Sequence, residues 1–85
     1  QFSWYEELDT IRREAVLNLL FNLGRSRFAL FKKAIAGLDG HDYDTASDEF
    51  YDSRWRRQVG KRADDICHMI RTGTYPDGFE QEPES

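Results

Sequence analysis

The stretch TIRREAVLNLLFNLG, Thr10 to Gly24, decides the fold of this 85-residue chain. Ile11, Ala15, Val16, Leu19, Leu20 and Leu23 recur at intervals of three and four, so they fall on one stripe of an α-helix. Leu17 and Phe21 lie to one side of the stripe and widen it, which predicts a helix packed on several sides. Asp9 or Thr10 can cap its first turn through a side-chain oxygen, and Gly24 stands where a C-terminal cap belongs.

Outward from that helix the chain reads as further short helices. Arg25 to Leu30 forms a connecting segment, and a second helix is expected over Phe31 to Leu38, ended by Gly37, Gly40 and the polar DGHD. A third, Tyr43 to Tyr51, takes Asp42 as its cap and turns Tyr43, Ala46 and Phe50 inward. Ser53 can cap a fourth, through Arg57. The last begins near Gly60 and runs to Arg71, with Ala63, Ile66, Cys67 and Ile70 on its core side. Asp64 and Asp65 suit the positive end of its dipole, and Gly73 is its stop. No segment alternates as a strand does, and no repeat occurs. The fold class is all-α: a compact orthogonal lobe of about five to seven short helices around a central apolar helix. Residues 1–75 make that lobe. Residues 76–85, PDGFEQEPES, have the acidic, aliphatic-poor composition of a disordered tail.

Length and composition set limits on function. A chain of this size buries only about 60–65% of the surface it exposes unfolded, so it supports one core and thin stability. Its single cysteine, Cys67, excludes an internal disulfide framework. Cys67 reads as a small core residue rather than a nucleophile, because His68 projects about 100° away from it on a helix. With His41 in a turn, no convincing metal constellation forms, and neither metal nor cofactor is expected. Asp44, Asp48, Glu49 and Asp52 share a short helix and read as solvent-facing acids, since a catalytic carboxylate pair needs two different environments. No apolar run is long enough to span a membrane, and no signal-peptide pattern opens the chain. It begins at Gln1 without an initiator methionine, as expected of a processed product or an excised piece.

One local feature opposes the global charge. The formal net charge is -4, yet SRWRRQVGKR, Ser53 to Arg62, holds five of the twelve basic residues. Three readings compete: a phosphate or nucleic-acid patch, a site for another anion, and an ordinary solvated helix face. The acidic balance of the whole chain weighs against nucleic acid.

Two stretches, LDTIRREAVLNLLFNLG and SRWRRQVGKRADDICHMIRTGTY, together resemble the carboxyl-terminal lobe of the phage-type lysozymes of T-even phages, glycoside hydrolase family 24. The likeness runs from about Leu8 to Tyr75 without gaps. Its most specific points are Leu8-Asp9, Arg12-Arg13, Asn18, Phe21 and Gly24, followed by Ser53-Arg54-Trp55, Arg62-Ala63 and Arg71-Thr72-Gly73-Thr74.

The resemblance implies one cleft-forming lobe of a muramidase that hydrolyses the β-1,4 bond between N-acetylmuramic acid and N-acetylglucosamine. In that family the reaction centre lies in the amino-terminal lobe, as a Glu, an Asp nine residues later and a Thr six residues further on. That pattern is absent here, so the chain alone is expected to be inactive. Its implied partners are a peptidoglycan glycan strand and an amino-terminal catalytic lobe, in the same parent chain or a second one. Production in a host cytoplasm and action on the cell wall follow from the same likeness. By alignment Phe21, Ala34, Glu49 and Arg54 are substrate-binding positions, and Arg62 orients the catalytic Glu of the other lobe. Ala34 and Glu49 depart from the family pattern, which has a small hydroxyl residue and an amide there. Trp55 is expected to pack into the core, and Arg56 and Arg57 to be solvent charges. The alternatives are a non-catalytic helical module that binds peptidoglycan or a protein partner, and a small nucleic-acid-binding domain.

Overall fold

The computed structural model describes residues 3–77. A short 3-10 helix, Ser3–Glu7, precedes α1 (Thr10–Ala29), α2 (Lys32–Asp39), α3 (Tyr43–Tyr51), α4 (Arg54–Val59) and α5 (Lys61–Thr72). No strand occurs among the described residues, so the fold is all-α, as expected. Of the tail, only Pro76 and Asp77 lie within the described residues.

The helix ends follow local chemistry at most positions. Asp9 Oδ2 accepts from the Arg12 backbone N–H at 3.2 Å, and Asp42 Oδ1 accepts from that of Thr45 at 3.3 Å, each satisfying an orphan donor of the first turn. Gly73 closes α5 at φ 72°, with its N–H bonded to Met69 O. Ser53 departs from expectation: it makes no side-chain cap bond, and its hydroxyl donates instead to Phe50 O.

Gly24 departs as well. It breaks the helical backbone at φ 80°, ψ 159°, but the chain resumes a helical course as far as Ala29. The kink re-aims the final turn so that Phe28 is fully buried. There its ring meets Phe50 at 5.9 Å between centroids, and Phe31 meets Phe50 at 5.0 Å. Rings from three separate segments are worth about 0.5–1.5 kcal/mol per pair beyond burial, enough to offset one kinked residue.

The buried stripe of α1 is Ala15, Val16, Leu19 and Leu23. Its chief helical neighbour is α5, which also packs against α3 and α4, while α2 packs on α3 and on the 3-10 helix. Thus α3 and α5 each pack on three other helices, and α1 lies against α5 with one side uncovered. Leu17, 51% exposed, and Phe21, 93% exposed, do not widen the core contact; packing on several sides is not found in this chain. The Cα radius of gyration is 11.8 Å, close to the roughly 12 Å of a compact chain of this length, so the core closes despite that open side. Gly37 lets α2 approach α3: a Cβ there would stand 2.9 Å from Asp42 O and 3.0 Å from Ala46 N.

Arg12 joins three of these elements. Its Nε donates to Ile70 O at 2.6 Å, its Nη2 to Arg71 O at 2.9 Å and its Nη1 to Asp9 Oδ1 at 3.0 Å. Its guanidinium lies 3.8 Å from the centroid of the Tyr43 ring. Burial pulls the Asp9 carboxyl upward, but the Arg12 N–H and guanidinium, with Asp9's own N–H, outweigh it and hold the group below its ordinary value.

Arg12→Ala should lower stability by about 2–3 kcal/mol, the scale of charge-assisted hydrogen bonds left unmade, measured by urea unfolding. Arg12→Lys should recover little of it, because an ammonium cannot fork between two carbonyls and stack on a ring.

Cys67 lies in the core at 3% exposure. Burial pushes its thiol from 9.0 up to about 11, against smaller lowering by Ser47 and Arg71. The unfolded chain therefore loses this proton first as pH rises, so stability present below pH 9.0 declines up to about pH 11, where the folded thiol also ionises. In denaturant titrations at stepped pH, Cys67→Ala should show a shallower decline across that window than the native sequence.

Candidate functional site

The uncovered side of α1 carries a polar row beside an apolar edge. Glu14, Asn18 and Asn22 recur every fourth residue and so stand one above another. Asn18 Nδ2 donates to Glu14 O at 2.9 Å, and Asn22 Nδ2 to Asn18 O at 2.7 Å. From the first turn of α5, Arg62 Nη1 donates to Asn18 Oδ1 at 3.3 Å. From beyond α5, the Tyr75 hydroxyl donates to Glu14 Oε1 at 2.7 Å. Both ends of the Asn18 amide are thus engaged, which settles its orientation. Phe21 and Leu17, four residues apart on the same helix, lie open beside this row.

Such a face can bind a sugar. A fully presented aromatic ring offers a flat apolar surface to the C–H faces of a pyranose, while amides and a guanidinium beside it offer hydrogen bonds to hydroxyl and acetamido groups. Exposing a phenylalanine almost completely costs the lobe roughly 1.5–3 kcal/mol relative to burying it, so Phe21 does nothing for this core.

The other residues singled out in the sequence are dispersed. Ala34 on α2 is fully buried; its methyl has no surface to offer a ligand, so its implied contact with substrate is at odds with its placement. Glu49 on α3 is half-buried. Arg54 lines a groove with Tyr51 and Arg57 that neither Phe21 nor Arg62 borders. Trp55 packs in the core at 2% exposure, although its Nε1 finds no hydrogen-bond partner. Arg56 is not a free solvent charge: its Nη2 donates to the Tyr51 hydroxyl at 2.7 Å, and its Nε stands 3.4 Å from Asp64 Oδ1.

His41 and His68 are both exposed. Among the described residues no group of three His, Cys, Asp or Glu is placed to hold a metal ion, and no helix is long and apolar enough to cross a membrane.

No family model matches the chain. Two curated proteins of Dictyostelium discoideum do match it, "Probable T4-type lysozyme 1" at 30% identity and "Probable T4-type lysozyme 2" at 31%, each over 70 residues. The chain is a T4-type lysozyme relative. The match covers 82% of the chain but 41% of each Dictyostelium protein, so the chain spans about two fifths of these T4-type lysozymes' length.

The T4-type likeness singled out Asn18, Phe21 and Arg62 separately. The bond between Asn18 and Arg62, and the anchoring of Glu14 by Tyr75, were missed. Their one local signal was a four-residue polar repeat interrupting the apolar helix.

Phe21→Ser should change unfolding free energy by less than about 0.5 kcal/mol, as for other surface positions. Phe50→Ala, in the aromatic cluster, should cost about 3–5 kcal/mol. Paired urea curves check both; a large loss at Phe21 would show that its ring is covered in solution.

Proposed function

We propose that this chain forms one wall of the glycan cleft of a peptidoglycan-cleaving muramidase and acts with a second lobe that carries the catalytic carboxylates. The observation that carries the reading is Phe21, 93% exposed on one of the helices whose sequence resembles the phage-type lysozymes. With Leu17, 51% exposed four residues before it, that ring makes a local apolar patch of the kind that marks a binding surface.

The chemistry divides between the lobes. Glycoside hydrolysis needs a carboxylic acid that keeps its proton near neutral pH, and burial is the usual way to raise a carboxyl that far. Ser47 is the one buried polar or charged residue among those described, so the carboxylates found here are solvated to some degree. This lobe therefore supplies binding and positioning: Phe21 stacks on a sugar ring, Asn18 and Asn22 border it, and Glu49 and Arg54 lie further along the wall. The glycan strand is the substrate, met at the cell wall after the protein leaves the cytoplasm in which it is made.

Arg62 acts on the catalytic acid of the other lobe. A cation beside a carboxylate lowers its pKa, which opposes a general acid, so the guanidinium orients that group rather than acidifying it. Its bond to Asn18 holds the side chain on the α1 face where a second lobe would meet it.

A binding module without catalysis is the second reading, favoured by the enclosure of Ala34, which removes one contact that a complete cleft would make. Sedimentation with purified walls, together with loss of turbidity in a wall suspension, separates the two. The chain alone should leave turbidity unchanged. Joined to a lobe with the Glu, Asp and Thr set it should clear the suspension, and Arg62→Ala in that assembly should lower turnover about tenfold, as misorientation of a reacting group does. Unchanged turnover would remove the role given to Arg62, and clearing by the chain alone would remove the division of labour.

A further inference from the structure

We propose that the groove between the end of α3 and α4 is a binding site for a single phosphate group. Its volume is about 290 Å³, and it is lined by Tyr51, Asp52, Ser53, Arg54, Arg56 and Arg57. That is near the lower limit of ligand pockets, room for a phosphate or a small phosphomonoester rather than for a disaccharide.

The lining is prepared for an oxyanion. Arg56 is fixed: its guanidinium lies 4.3 Å from the centroid of the Tyr51 ring and donates to the Tyr51 hydroxyl at 2.7 Å. Because that oxygen accepts from Arg56, the Tyr51 proton remains available to donate to a ligand. Arg54 and Arg57 are three residues apart on α4 and so share a face. Both are exposed, and neither makes an ion pair or hydrogen bond among the described residues, unlike Lys61, which is held by Asp65 at 3.3 Å. Two free guanidinium forks and a phenol can satisfy several oxygens of one phosphate, with the bidentate geometry that arginine gives. Ser53 contributes no proton, since its hydroxyl donates to Phe50 O.

Charge selects the kind of anion. Three arginines face one carboxylate, Asp52, within the groove, while Asp64 stands 3.4 Å from Arg56 behind it and the chain as a whole carries -4. A compact dianion sits within the positive spot. A long polyanion would extend over the acidic surface that surrounds it. Of the residues given to the glycan-cleft reading only Arg54 lines this groove, and neither Phe21 nor Arg62 borders it.

Inorganic phosphate titrated into the 85-residue chain at constant ionic strength, followed by backbone amide shifts, tests the site. Saturable shifts confined to residues 51–57 are expected. Arg54→Gln and Arg57→Gln should each weaken the affinity about tenfold, the scale of one lost charge-assisted hydrogen bond, while Asp52→Asn should tighten it. Glycerol phosphate should bind at the same residues.

Shifts that never saturate, or that are the same in both arginine variants, would overturn the proposal. So would acetate binding as tightly as phosphate, which would mark a carboxylate site. A DNA oligomer bound more tightly than phosphate, and weakened steeply by salt, would replace the single-group site with a polyanion surface.

Discussion

The guanidinium of Arg12 holds together the two ends of the described chain. Four of the last carbonyls of any α-helix lack partners within it, and α5 delivers two of them, Ile70 O and Arg71 O, to one arginine on α1. A positive charge at that end also complements the helix dipole. Asp9 fixes the same guanidinium from its own side, and the Tyr43 ring lies beneath it, so the start of α1, the start of α3 and the end of α5 are set by one side chain. Gly73 is constrained twice by this arrangement. Its φ is 72°, and a Cβ there would stand 3.0 Å from Arg12 Nη1, so the turn that ends α5 is shaped around the arginine as well as by backbone freedom.

Packing α1 mainly on α5 has a consequence on its far side. The helix needs one buried stripe to be stable, and Ala15, Val16, Leu19 and Leu23 supply it. The opposite side is then free to carry groups chosen for something other than packing. Glu14, Asn18 and Asn22 occupy it with hydrogen bonds that stay local to the helix or draw in Arg62 and Tyr75. Such a surface is ordered without being covered. The stripe that closes the core and the exposed polar face are thus built on the same twenty-residue helix.

What could be read in the sequence and what could not divide by distance along the chain. Asp9, Asp42 and Gly73 act on groups within four residues of themselves, and all three were legible. Ser53 looks like a cap by type, but its hydroxyl turned to Phe50 O, a choice made by the bend between α3 and α4. Gly24 reads as a stop because glycine tolerates its positive φ, and the backbone does break there. The helix resumes because Phe28 finds Phe50 across the core, a contact 22 residues away that no local pattern contains. Leu17 and Phe21 are indistinguishable by type from core residues, so periodicity alone assigned them inward. Ala34 was placed at the cleft by alignment, and the close approach that Gly37 permits between α2 and α3 encloses that segment instead. Likeness to the T4-type lysozymes reached Asn18, Phe21 and Arg62 one by one but not the hydrogen bond that ties Arg62 to Asn18.

The basic cluster shows how little a charge count says about a surface. Among the described residues, Asp44 and Asp48 engage Arg71, Asp64 engages Arg56, Asp65 engages Lys61 and Asp9 engages Arg12. Exposed pairs of this kind contribute little to stability, yet each ties up the charges it joins as far as a ligand is concerned. Of the five basic residues in Ser53 to Arg62, Arg56 and Lys61 are consumed in this way and Arg62 is drawn to α1 by Asn18. Arg54 and Arg57 remain, both on one groove. A chain with a net charge of -4 can therefore hold a small positive spot without becoming a binder of extended polyanions. The field beyond about one Debye length, roughly 8 Å in physiological salt, reflects the whole surface, while a bound phosphate responds to the two or three groups that touch it.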